Sequence, residues 1–189
     1  MKKIVIRFNA PVILTFALLS LLALLLGNWT DGAATYQYFS VYRSSLSDPL
    51  TYVRFFGHVL GHADYEHYMG NMLLILLVGP GLEEKYGSGT MVWTIAVTAL
   101  VTGLVHFVFF PGSVLLGASG VVFMMIVLSS FTAMRRGEIP VTLILVVIFY
   151  LGGEIMDGLF KQDSISQITH IVGGLCGLVF GFTIRRGRR

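Results

Sequence analysis

Gly117-Ala118-Ser119-Gly120-Val121-Val122-Phe123-Met124-Met125-Ile126-Val127-Leu128 sets one hydroxyl among small residues at the head of a wholly apolar run. A stretch this apolar belongs in a protein core or a lipid bilayer, and the rest of the chain decides between them. Of 189 residues, 55% are hydrophobic and 12% charged, whereas an ordinary soluble domain is about 25% charged. The composition implies an integral membrane protein. A net charge of +3 raises the question of nucleic acid in a soluble domain; here membrane topology accounts for it, and no nucleic-acid partner is expected.

Working outward from Ser119, apolar stretches of spanning length fall near 11–27, 66–82, 90–110, 117–134, 140–160 and 166–184. The predicted fold is all-α: six transmembrane helices in one membrane domain over 1–189. The opening Met1-Lys2-Lys3 and the run Pro11 to Gly27 read as a first span, since the run exceeds the 7–15 residues of a signal-peptide core. With both termini in the cytosol, ten basic residues fall inside: Lys2, Lys3, Arg7, Lys85, Arg135, Arg136, Arg185, Arg186, Arg188 and Arg189. Only Arg43, Arg54 and Lys161 fall outside, the asymmetry expected of a correct span count. The outer segment from Asn28 to Tyr65 carries Trp29, Tyr36, Tyr38, Phe39, Tyr42, Tyr52, Phe55 and Phe56. These ring types settle at the headgroup level, so the segment is expected to lie on or partly in the outer leaflet.

Polar side chains at membrane depth are costly, and each is a candidate for function. Helix rise compares their depths. Ser119 lies sixteen residues before Arg135, about 24 Å above the inner face at 1.5 Å per residue. His170 lies fifteen residues before Arg185, and His67 sixteen before Glu83, with Asn71 one turn deeper. Three spans thus bring Ser119, His170, His67 and Asn71 to one level.

That set contains the parts of an acyl-transfer site. His170 can take the proton of Ser119 as general base and return it to a leaving amine. His67, Asn71 and the Ser119 backbone N–H at a helix start can supply donors to an oxyanion. No acidic residue is placed to orient His170, so the reading is a dyad. Gly173, Gly177 and Gly181 recur every four residues after His170, a bare face that Gly120 can meet. The plain alternative for that stripe, tight helix packing, is compatible with the same site.

The residues resemble the rhomboid intramembrane serine proteases in their bacterial-type, six-helix form. The motifs occur in that family's order: His62-xxxx-His67-xxx-Asn71, the Gly117-Ala118-Ser119-Gly120 nucleophile motif, and His170-Ile171-Val172-Gly173 with Gly177. Gly79, Leu82, Glu83 and Gly87 look like the family's turn after the second helix. The resemblance implies a serine endopeptidase with Ser119 as nucleophile and His170 as base. It implies oxyanion support from His67 and Asn71, a place for Arg54 in an outer loop leaning into the membrane, and a bacterial plasma membrane. Substrates would be transmembrane segments of other proteins, with the lipid bilayer as the other partner and no cofactor. Departures are Thr169 where alanine is common, Phe123 where tyrosine is common, and Val53-Arg54 in place of Trp-Arg.

Rival readings are a catalytically silent rhomboid-like protein that binds membrane helices for quality control, and a small transporter or channel. Silent relatives typically lack the serine or histidine kept here. A transporter predicts internal repeats and a polar path through the membrane, whereas the polar set here stops at one depth. His58 and His62, near His67, suggest a metal site, but no Cys or carboxylate stands at ligand spacing; hydrogen bonding that shapes the outer loop is expected, and no metal. The single Cys176 reads as a packing residue and His106 as interfacial. Glu154, Asp157 and Lys161 read as a solvated helix end or as part of a mobile fifth helix.

Overall fold

The structure is a computed structural model that describes residues 8–132, 138–151 and 164–184. Among them the chain is all-helical. The elements are α1 (Pro11–Trp29), α2 (Ala33–Tyr38), α3 (Pro49–Gly57) with a 3₁₀ turn His58–Leu60, α4 (Tyr65–Tyr86), α5 (Ser88–Phe109), α6 (Ser119–Ser129), α7 (Val141–Val146) with a wide π turn Val147–Leu151, and α8 (Ser164–Thr183). The extended pairing among described residues is one antiparallel bridge, Val41 with Leu115.

Local chemistry explains the ends. Asp48 accepts from Leu50 N–H ahead of Pro49, so α3 starts with a cap and a proline at its first position. Asp64 accepts from His67 N–H at 2.8 Å to start α4. Acidic Glu66 in the first turn of α4 and basic Lys85 in its last suit the helix dipole. Gly87, at φ +86°, is the hinge between α4 and α5. Helix α1 has no side-chain cap of its own. Instead the buried Glu83 carboxylate accepts from Val12 and Ile13 N–H, each at 3.0 Å, and from Ser88 Oγ at 2.7 Å. One carboxylate thereby joins the starts of α1 and α5 to the end of α4, a set of bonds that contributes about 2 kcal/mol net once the desolvation of the buried acid is deducted.

Helix α6 is innermost: Gly120–Val122 and Met124–Leu128 are all buried, with α4, α5 and α8 packed around it and α1 against α4. Outside, Leu18, Leu22, Leu77, Val92, Val179 and Phe182 face away from the protein, a belt that hydrocarbon tolerates and water does not. Helices α1 and α5 are long and apolar enough to cross a membrane.

Several expectations change. The outer segment is mostly helix, α1 running to Trp29 and α2 and α3 following. Gly79, Leu82 and Glu83 lie inside α4, which continues through Pro80 to Tyr86, so only Gly87 makes the turn. The helix at the serine begins at Ser119, since Gly117 sits at φ +122°, outside helical space. The 140–160 span is described only to 151. Glu154, Asp157 and Lys161 lie outside the described residues, as do the basic residues of the inner count apart from Lys85.

Candidate active site

Four elements build the site. Ser119 is the first residue of α6, and the first bond of that helix runs from Val122 N–H to Ala118 C=O at 2.9 Å. The N–H groups of its opening residues therefore have no acceptor within the helix, the usual state of a helix start. Gly117 is required twice over: its φ suits glycine, and a Cβ there would stand 2.8 Å from Cε1 and Nε2 of His67. The His67 imidazole thus lies against the backbone that leads into Ser119. Asn71, one turn along α4, donates from Nδ2 to the His67 carbonyl at 3.0 Å, which among the described residues leaves the second amide hydrogen unspent.

His170 enters from α8. Its ring stacks on Phe123 of α6, centroids 4.4 Å apart and planes 6° from parallel. Offset stacking of this kind is worth about 0.5–1.5 kcal/mol and fixes the plane of the imidazole. Ser119, His170, His67, Asn71 and Phe123 line one cleft of ≈ 580 Å³, with Asp64 and Glu66 among its other walls. The four polar residues singled out from the sequence thus line a single cavity.

The seam between α6 and α8 is made of bare backbone. A Cβ on Gly173 would collide with the carbonyl of Gly120, one on Gly177 would stand 2.5 Å from the Met124 carbonyl oxygen, and one on Gly181 would meet the Phe131 ring. Gly120 also has the Thr169 methyl 3.3 Å from its would-be Cβ, so Thr169, buried at 6%, serves as a packing residue at the seam.

The outer histidines hold the segment above the site. His58 donates from Nδ1 to Arg54 C=O at 3.2 Å, places Nε2 3.3 Å from Thr102 Oγ1, and offers its own carbonyl to Gly117 N–H at 2.9 Å. His62 donates from Nδ1 to Leu60 C=O at 3.1 Å and meets His67 edge to face at 5.0 Å. Burial pushes both rings down to about 4, with the neighbouring His67 adding to the effect at His62. Arg54, 5% exposed, donates to Gln37 C=O at 2.9 Å, pairs with Asp48 at 3.3 Å and lies over the Tyr42 ring.

Sequence reasoning missed two contributors. His106, read from the sequence only as an interfacial residue, is 1% exposed: its ring is covered by the connection between α5 and α6, bonded to Ser113 there and stacked on Phe110. Val41, paired with Leu115, had no signal beyond its place in an aromatic segment.

A family model described as Rhomboid domain matches residues 49–187. Rhomboid-related protein 1 of Caenorhabditis elegans is 32% identical over 69% of this chain and 39% of its own length. Rhomboid-related protein 2 of Mus musculus is 28% identical over 74% of the chain and 53% of its own length. The chain therefore spans about half or less of these curated relatives. The matched stretch holds Ser119, His170 and the glycine seam that joins their helices, and with most of the sequence inside it the chain belongs to the rhomboid family.

Proposed function

We propose that this membrane protein is a serine endopeptidase that cuts transmembrane segments of other membrane proteins, using Ser119 and His170 as a dyad. The proposal includes six spans with both termini in the cytosol of a bacterial plasma membrane, and a site near the outer surface. The observation that carries it is the cleft shared by Ser119 and His170, which come from helices pressed together at Gly120 and Gly173.

In the first step His170 takes the hydroxyl proton as Ser119 Oγ attacks the scissile carbonyl, and the carbonyl oxygen becomes an oxyanion. The N–H groups at the start of α6, the free amide hydrogen of Asn71 and the His67 ring are the donors at hand. One such donor is worth about 10²–10³ in rate. His170 then protonates the leaving amine, and water repeats the sequence on the acyl-enzyme. A regular substrate helix shields its carbonyls, so cleavage is expected where small or helix-breaking residues let it unwind.

The test uses the purified chain in liposomes with a model transmembrane substrate. Ser119→Ala is expected to abolish cleavage and leave Tm unchanged; persistent cleavage overturns the assignment. A silent helix-binding relative is separated by fluorophosphonate, which should label the wild type and spare His170→Ala.

A further inference from the structure

The connection Phe110–Ala118 carries no regular helix, yet Ser119 starts directly behind it. Among the described residues it is tied down at three places. Leu115 and Val41 exchange two backbone bonds of 2.8 Å, and Gly117 N–H reaches His58 C=O at 2.9 Å. Both are backbone bonds that survive most side-chain changes. The third depends on one side chain. His106, in the last turn of α5, brings Nε2 to 3.2 Å from Ser113 C=O and 3.4 Å from Ser113 Oγ, and that hydroxyl donates in turn to Phe110 C=O at 3.1 Å.

A carbonyl only accepts, so the hydrogen sits on Nε2. The ring is stacked on Phe110 with centroids 5.7 Å apart, and Nδ1 is buried with no hydrogen-bond partner among the described residues. A buried imidazole in a membrane-crossing helix is expensive, and this one spends a single donor on the loop that delivers Ser119. We propose that His106 is a positioning residue for the nucleophile, an inference that rests, for its catalytic consequence, on the peptidase reading above. Without the Nε2 donor the connection pivots about the Val41–Leu115 pair and shifts Gly117, whose contact with His67 sets the entry into α6.

His106→Phe keeps the ring and its stack and deletes the donor; His106→Gln restores an N–H. In liposomes His106→Phe is expected to lower kcat about tenfold with KM within about twofold, the scale on which small displacements act. Amide exchange at Leu115 and Gly117 should quicken while the buried amides of α6 keep their protection, and His106→Gln should recover most of kcat. Unchanged exchange in His106→Phe overturns the latch, and so does quickened exchange with unaltered kcat. Equal losses of kcat and Tm in both variants reduce His106 to a structural residue and overturn the proposal too. A wild-type chain that cleaves nothing overturns the peptidase reading and the catalytic consequence with it, while exchange still decides whether His106 holds the loop.

Discussion

Helix α6 meets its neighbours in two opposite ways. Toward α8 the contact is made by absent side chains: Gly120 and Gly173 put backbone against backbone, and nothing there can move aside. At its start it is held through polar groups on the connection that leads into it: Gly117 N–H on His58 and Leu115 on Val41 tie that connection to the outer segment, and His106 on Ser113 ties it to α5. The first contact has one geometry or none. The second shares its load over several bonds, each worth about 1 kcal/mol net. Ser119 depends on both, since the seam fixes its distance to His170 and the polar ties fix its orientation.

The seam is the easier of the two to break. Gly173→Ala sets a methyl into the Gly120 carbonyl, and rigid backbone cannot yield as a side chain does. The expected outcome is a loss of about 3 kcal/mol and of all cleavage, read from Tm and a liposome assay. The nearest atoms to a Cβ on Gly181 belong to the buried Phe131 ring and not to backbone, so Gly181→Ala should cost about 1–2 kcal/mol, with cleavage retained because the Gly120–Gly173 contact is untouched. Equal losses in the two variants would mean that the seam is not backbone-limited.

Glu83 tests the polar ties at the end of α4 away from the site. Glu83→Ala leaves Val12 and Ile13 N–H without their acceptor, at an expected cost of about 2 kcal/mol. Because the site lies at the other end of α4, kcat measured well below Tm should stay within about twofold, by the independence of distant sites. A large fall in kcat would show that the Glu83 staple reaches the cleft.

The seam and the staple also differ in how far the sequence reveals them. Glycines at 173, 177 and 181 announce a bare face by spacing alone, because the argument runs along α8; the rise from His67 to Glu83 likewise runs along α4, whereas α6 ends at Ser129, short of the Arg135 from which the depth of Ser119 is counted. Glu83 on Val12 and His106 on Ser113 are meetings of different elements, and neither partner is unusual until the fold supplies the other. Helix α3 is legible in principle from Asp48-Pro49, a cap followed by proline, but the aromatic content around it reads as a membrane-associated loop.

Acid probes the polar side at His62. Its folded value of about 4 lies below the ordinary 6.5 because burial disfavours the charged ring, so the unfolded chain binds a proton that the folded one refuses. Stability is full above pH 6.5 and falls as pH drops toward 4, by about 1 kcal/mol at pH 6 from this ring alone. In His62→Gln, Tm should vary less between pH 7.5 and 5 than in the wild type. An equally steep decline would assign the loss elsewhere.

The smallest expected effect lies where seam and chemistry meet, at Phe123 against His170. The stack at 4.4 Å constrains the plane of the base without touching its nitrogens, so ring shape matters and a para hydroxyl does not. Phe123→Leu gives up about 1 kcal/mol of stacking, and kcat should fall about fivefold with KM little changed. Phe123→Tyr, which installs the residue more common in the family, should stay within about twofold of the wild type, because the stacked face is conserved. If the tyrosine variant instead gained or lost about tenfold, the hydroxyl would be reaching a group in the cleft, and orientation of His170 would rest on a hydrogen bond as well as on the face of a ring.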